Sequence, residues 1–181
     1  MPYTAAYQSP IGGITLASDG ESLSGLWFDG QKYFADTLAG EEYSRRKEKE
    51  LPIFRQTKQW LDLYFQGVAP DFTPPLRLAA SAFRLAVWDI LKRIPYGQVM
   101  TYGDIARIIA QRQGLKAMSS QAVGGAVGHN PISIIVPCHR VVGSNGSLTG
   151  YAGGIDKKIS LLALEKADIS RYFIPRKGTA L

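Results

Sequence analysis

The sequence predicts a small α/β domain followed by a mainly α-helical one. Three observations lead to this. Residues 3–28 hold three short apolar runs separated by turn residues. A proline-rich stretch from Pro70 to Pro75 interrupts the chain. Beyond it, apolar residues recur at three- and four-residue steps, the period of a helix with one buried face. Proline-rich segments with polar flanks mark linkers, so the domains are placed at residues 1–75 and 76–181.

In the first domain, residues 3–8 and 13–18 read as strands around a turn at Ser9-Pro10-Ile11-Gly12-Gly13. Ser22 to Phe28 is a third strand ended by Asp29-Gly30, giving a small antiparallel sheet. Residues 41–50 are dense in both charge signs and read as a solvated loop or exposed helix. From Ile53 to Gln66 the period is helical, and Gly67 stands where a C-terminal cap is required. Trp60, Tyr64 and Phe65 fall on that period and read as core rather than as a base-stacking stripe.

The second domain reads as a helix from Ser81, a possible N-cap, to Arg93, with Phe83, Val87, Ile90 and Leu91 on one face. Ile94-Pro95-Tyr96-Gly97 breaks it. Thr101-x-x-Asp104 is a capping-box start for a helix burying Ile105, Ile108 and Ile109. After a turn over 114–118, Ser119 caps a second short helix, with Ala122, Val123, Ala126 and Val127 inward. This pair has the outline of a helix-turn-helix. Gly124, Gly125 and Gly128 each weaken a helix by about 1 kcal/mol relative to alanine. Such a sequence makes sense where another backbone, protein or DNA, approaches closely. A last helix begins near Asp156 and ends at Glu165, with Ile159, Leu162 and Ala163 inward.

Composition bounds the function. Hydrophobic residues make up 45% and charged residues 20% of 181, an ordinary globular balance. No apolar run approaches the roughly 20 residues that span a bilayer. Met1-Pro2-Tyr3-Thr4 does not open a signal peptide, so a cytoplasmic protein is expected, nucleoid-associated if bacterial. One cysteine excludes an internal disulfide and a cysteine-cluster zinc site; no metal or cofactor is expected. Net charge is +6, divided as −2 over residues 1–78 and +8 over 79–181. That asymmetry points the C-terminal half at a polyanion.

The only cysteine lies in Val136-Pro137-Cys138-His139-Arg140-Val141-Val142. Apolar Ile132 to Val136 reads as a buried strand ended by Pro137, which places the thiol at the mouth of a core element. A thiol attacks as thiolate, and the neighbouring His139 and Arg140 are expected to lower its pKa. Sequence neighbours do not project to the same side of a regular element, so a water is expected to bridge Cys138 and His139.

Pro137-Cys138-His139-Arg140-Val141-Val142 resembles the active-site signature of the O6-alkylguanine-DNA alkyltransferases, also called methylated-DNA–protein-cysteine methyltransferases. Further motifs follow that family's order: Ile94-Pro95-Tyr96-Gly97, Thr101-Tyr102-Gly103, Ala122-Val123-Gly124-Gly125-Ala126, Asn130-Pro131 and Gly150-Tyr151-Ala152-Gly153-Gly154. The resemblance runs from about Phe83 to Lys166, more loosely elsewhere.

It implies a ribonuclease-H-like N-terminal domain and a C-terminal DNA-binding, alkyl-accepting one. Cys138 would be the nucleophile, His139 its base through water and Glu165 the residue that orients His139. Asn130 would brace the active-site turn. Tyr102 would rotate the target phosphate and donate a proton to the base. Val136, Val141, Tyr151 and Ala152 would line the substrate pocket, Val141 through its carbonyl. Ser120, Gln121, Ala122, Gly124, Gly125 and Arg140 would meet DNA. Gln121 stands where the family commonly has an arginine that fills the vacated base site. The partner implied is double-stranded DNA containing O6-alkylguanine, bound in the minor groove by a monomer. The reaction implied is a single irreversible alkyl transfer. A lesion-recognising binding module or helix-turn-helix regulator would not need Cys138, and a cysteine hydrolase would turn over an ester or amide.

Overall fold

The computed structural model describes residues 2–38, 44–45 and 51–175. The chain divides into two compact units: Met1–Leu78 with Pro131–Ile135, and Ala79–Asn130 with Val136–Leu181.

The first unit is built on a four-stranded sheet of order β3-β2-β1-β4, from β1 (Tyr3–Ser9), β2 (Gly12–Ser18), β3 (Leu23–Phe28) and β4 (Ser44–Arg45). β1 and β2 form a hairpin closed at Ser9↔Gly12, where the Ser9 hydroxyl donates to the Gly12 carbonyl at 2.6 Å. β2 pairs antiparallel with β3, and β4 lies parallel to β1. Ser44 and Arg45 are therefore strand, and the rest of the charged 41–50 segment lies outside the described residues.

α1 (Pro52–Phe65) packs on β1, β2 and β3. Its apolar period buries Ile53, Phe54, Trp60, Leu61 and Tyr64, each large side chain stabilising by roughly 1.5–3 kcal/mol. Trp60 and Tyr64 stack at 5.3 Å, as core residues. Gly67 follows the helix at φ 80°, the left-handed cap that its position predicts. The free side of β3 is occupied by two segments of this unit. Leu23 exchanges backbone bonds with Pro75 and Arg77, and Leu26 with Pro131 and Ser133.

The second unit gathers α2 (Ala82–Leu91), α3 (Tyr102–Arg112) and α4 (Ser120–Gly128) against one another. Each begins on the expected cap. Ser81 accepts from the Arg84 N–H, Thr101 and Asp104 close a full capping box, and Ser119 accepts from the Ala122 N–H. Such caps are each worth about 1 kcal/mol. Trp88 bridges α2 to α4 by donating its indole N–H to the Ala126 carbonyl at 2.8 Å. A two-stranded parallel ribbon, β5 (Met100–Thr101) with β6 (Val141–Val142), pairs Thr101 with Val142. It brings the start of α3 beside the end of the cysteine motif. α5 (Ile155–Leu164) closes the unit over Val142, Leu148, Leu162 and Ala167.

Three expectations are corrected. Ala122 and Ala163 face outward, and Leu161 takes the inward place on α5. Ile132 to Val136 is buried but is not a strand. Only Ile132 pairs, with Leu26, before the chain turns. The Ile135 N–H bonds the Ser133 carbonyl at 2.8 Å with Ile134 at φ 69°, a tight γ-turn that a β-branched residue adopts under strain. The Cys138 N–H then bonds the Val136 carbonyl at 2.8 Å around Pro137 at φ −81° and ψ 65°, an inverse γ-turn. Apolar composition reported the burial of this run and not its conformation.

Candidate active site

The reversal at Pro137 sets Cys138 at the first position of a 3-10 turn, Cys138–Arg140. The thiol is 4% exposed. Asn130, at the exit of α4, donates its side-chain N–H to Cys138 Sγ at 3.2 Å and to the Val136 carbonyl at 2.8 Å. One amide thus holds both the turn and the sulfur that the turn presents.

His139 is fully buried, and its Nε2 meets Glu165 Oε1 at 2.6 Å. A carboxylate only accepts, so the imidazole carries its proton on Nε2 and keeps a basic lone pair on Nδ1. Burial holds the imidazole below its ordinary pKa, against the opposing pull of Glu165, so it is neutral and ready to take a proton.

Glu165 caps α5 and is 3% exposed. Arg140 grips it with Nε to Oε2 at 2.9 Å and Nη2 to Oε1 at 3.0 Å, and the Gly97 N–H donates to Oε2 at 3.0 Å. Burial alone would raise this carboxyl. The hydrogen bonds from His139 and Arg140, with the Arg140 charge, outweigh it and hold Glu165 far below the usual carboxylate range.

Here Ile94-Pro95-Tyr96-Gly97 acquires a purpose. The Ile94 carbonyl accepts from Arg140 Nη1 at 2.6 Å, and the Arg140 guanidinium lies 5.7 Å from the centre of the Tyr96 ring. Gly97 has φ 76°, and a Cβ there would come within 2.8 Å of the Glu165 carbonyl oxygen. Only glycine fits.

Two expectations change. Arg140 was expected to meet DNA, but it is 8% exposed and bound to Glu165 inside the unit. His139 and Arg140 were also expected to lower the thiol's pKa. Burial instead pushes Cys138 up, and the opposing pulls come from Asn130, from Lys158 and from the backbone N–H groups of Cys138 and His139. The resting sulfur is a thiol, so a base is required.

Tyr102, the first residue of α3, is buried with its hydroxyl donating to the Gly150 carbonyl at 3.1 Å. Burial, then the charge of Cys138, keep the phenol protonated well above its ordinary range. Tyr151 sets its ring edge-on to His139 at 6.4 Å, and both Tyr151 and Ala152 are half-buried. Val136 and Val141 are fully buried beside the cysteine. The α4 residues divide. Ser120, Gln121, Ala122 and Gly125 are exposed, while Gly124 faces inward. His129 ends α4 with Nδ1 2.7 Å from the Gly125 carbonyl.

Sequence reasoning missed Lys158. It is fully buried on α5 and donates to the carbonyls of Val141 at 2.5 Å and Thr149 at 2.7 Å. Burial pulls its pKa down to about 8, with a Cys138 thiolate acting in opposition. The signal was present: Lys158, Leu161, Leu162 and Glu165 stand at i, i+3, i+4 and i+7, one helix face.

The arrangement is a buried thiol, a neutral imidazole and an orienting carboxylate in one unit with a protonated phenol. Profiles of two domains match the chain: "6-O-methylguanine DNA methyltransferase, ribonuclease-like domain" over residues 3–78, and "6-O-methylguanine DNA methyltransferase, DNA binding domain" over 82–167. The chain belongs to the methylated-DNA–protein-cysteine methyltransferase family. It is 49% identical over 162 residues to the inducible family member of Bacillus subtilis, covering 90% of this chain and 83% of that protein. The Haemophilus influenzae methyltransferase is 39% identical over 165 residues, 91% of this chain and 86% of its own. Among solved structures, Mycobacterium tuberculosis OGT in complex with DNA superposes with a TM-score of 0.77 at 39% identity, over 94% of each chain. Membership accounts for both units. The small sheet with α1 corresponds to the ribonuclease-like domain, and the helical unit to the DNA-binding one.

Proposed function

We propose that this chain repairs DNA by moving the alkyl group of O6-alkylguanine onto Cys138. The observation that carries this is the thiol held by Asn130 beside a neutral His139 that Glu165 orients, in a chain of this family. A base stacked in a duplex hides its O6 substituent, so the nucleotide is flipped out before attack. A water passes the thiol proton to His139 Nδ1. The thiolate attacks the alkyl carbon, the S–C bond forms and the C–O6 bond breaks. Tyr102 supplies a proton to the leaving guanine and regains one as His139 is relieved of its own. In net terms the thiol proton ends on guanine and Cys138 ends as a thioether. No group in the site reverses that bond, so each chain acts once.

The DNA partner is double-stranded and met in its minor groove by a monomer, with α3 and α4 as the helix-turn-helix pair. The exposed face of α4 supports this. Gly125 is solvent-facing in mid-helix, and a Cβ there would touch nothing within 4 Å. Internal packing therefore gives no reason for a residue that weakens the helix, whereas close approach of a nucleic-acid backbone does. Gln121, beside it, would occupy the gap left by the flipped base. It lacks the charge and stacking plane of an arginine, which makes flipping weaker without removing the reaction. No helix among the described residues is long and apolar enough to cross a membrane. A cytoplasmic protein, nucleoid-associated if bacterial, fits the proposed substrate.

The test is a titration. Duplex containing O6-methylguanine is held in excess and lesion loss is followed to its plateau. Repair that stops at one lesion per chain supports the reading; continued turnover, or no loss at all, contradicts it.

A further inference from the structure

Lys158 is a buried charge of the site that bonds carbonyls rather than a carboxylate, and the reaction above gives it no part. An ammonium without solvent exposure is unfavourable unless its protons are matched, and here two are given to carbonyls at 2.5 and 2.7 Å. Those carbonyls are not equivalent to a generic core contact. Val141 belongs to the cysteine motif and pairs with Met100 in the ribbon that leads into Tyr102. Thr149 precedes Gly150, whose carbonyl receives the Tyr102 hydroxyl. Lys158 therefore ties the nucleophile's segment to the segment that holds the proton donor.

We propose that Lys158 is a positioning residue for alkyl transfer: it fixes the Val141 and Thr149 walls of the pocket and, while protonated, favours the thiolate as it forms. The inference rests on Cys138 being the alkyl acceptor. The charges around it leave Lys158 this role. Arg140 is neutralised by Glu165, His139 is neutral and Tyr102 is a protonated phenol. The Lys158 ammonium stabilises the Cys138 thiolate, a Cys138 thiolate in turn keeps Lys158 protonated, and the same ammonium helps keep His139 neutral. Asn130 steadies the sulfur without charge. As the alkyl group arrives the sulfur becomes neutral, and Lys158 loses its partner.

Two measurements test this. In the first, the rate of Cys138 alkylation by iodoacetamide is followed against pH in the wild-type chain and in Lys158→Met, alongside transfer from an O6-methylguanine duplex. The midpoint for iodoacetamide should rise by about one unit in the variant, which is about a tenfold smaller thiolate fraction near neutrality. Transfer from DNA should slow in parallel and recover as pH is raised. A purely structural lysine would lower rates equally at every pH, and an unshifted midpoint would overturn the proposal. Iodoacetamide needs neither DNA nor guanine. A shifted midpoint without any methyl transfer would sink the proposed function, and with it the part of Lys158 in transfer, and leave only its effect on the thiol. The second measurement does not depend on that variant folding. The Lys158 and Cys138 side chains are titrated together by NMR in the wild-type chain. Each resonance should report both titration steps, as interacting groups do, and two independent one-step curves would overturn the proposal.

Discussion

Glu165 is the residue on which the site's electrostatics turn. It accepts from His139, twice from Arg140 and from the Gly97 backbone, and all three partners lie within one unit. Removing its charge leaves the Arg140 guanidinium buried without a counter-ion. Breaking a buried pair in this way costs about 3–5 kcal/mol. Glu165→Gln should therefore lower the unfolding free energy in urea by about 3 kcal/mol and slow transfer as well, since His139 loses the negative charge that supports it as a base. A loss below about 1 kcal/mol would show that the pair is not held as described. The pH dependence follows the same residues. Glu165 has a folded pKa below its ordinary 4.5, so the unfolded chain binds the proton first as pH falls. Its contribution is complete above that value and is lost below it. His139, held below its ordinary 6.5, adds a loss of the same sign that begins at higher pH. The wild-type urea midpoint should fall in two stages on acidification, and Glu165→Gln should shrink the lower stage, to which Asp19 and Asp104 also contribute. The meeting of His139 with Glu165 was legible from the spacing of Glu165 to the cysteine motif. Lys158 was not, because a lysine on an amphipathic helix reads as solvated, and only its i, i+3, i+4, i+7 register with Leu161, Leu162 and Glu165 marks it as buried.

At the scale of elements, α4 carries a local conflict. Its exposed Gly125 weakens the helix, and nothing in the unit fills the space a side chain would take. Gly125→Ala should stabilise the fold by about 0.5–1 kcal/mol in thermal or urea unfolding and at the same time weaken duplex binding. Unchanged duplex affinity would remove the case for close approach at this face. Gln121→Arg, on the same exposed turn, should tighten duplex binding and speed transfer; an unchanged affinity and rate would sink the assignment of Gln121 to the vacated base site. Helix starts were readable because Ser81, Thr101 and Ser119 satisfy backbone donors locally. The Ile132–Val136 run differs from a strand because its conformation depends on Leu26 of β3, distant in sequence, and on a side-chain bond from nearby Asn130, neither of which an apolar period reports.

Over the whole molecule, charge is the property that sequence displays and folding does not alter. The balance of −2 over residues 1–78 and +8 over 79–181 places the excess on the part that contains α3 and α4. Duplex affinity should fall with a linear log–log slope in salt, and neutralising even two phosphates gives about a tenfold loss for a fourfold rise in salt. A salt-independent affinity would contradict a phosphate-dominated contact. The two-unit division was foreshadowed by Pro70–Pro75, but the grouping of Pro131–Ile135 with the N-terminal unit was not. That grouping depends on strand pairing across more than 100 residues of sequence, between Leu26 and Ile132, which no local pattern encodes. The central claim is that Cys138 accepts the alkyl group, and its most direct measurement is the intact mass of the protein after incubation with a duplex containing O6-methylguanine. Wild type should gain one methyl in place of one hydrogen, saturating at one per chain, and Cys138→Ser should gain nothing. A methyl on the serine variant, or none on a wild-type protein that binds the lesion, would contradict the account.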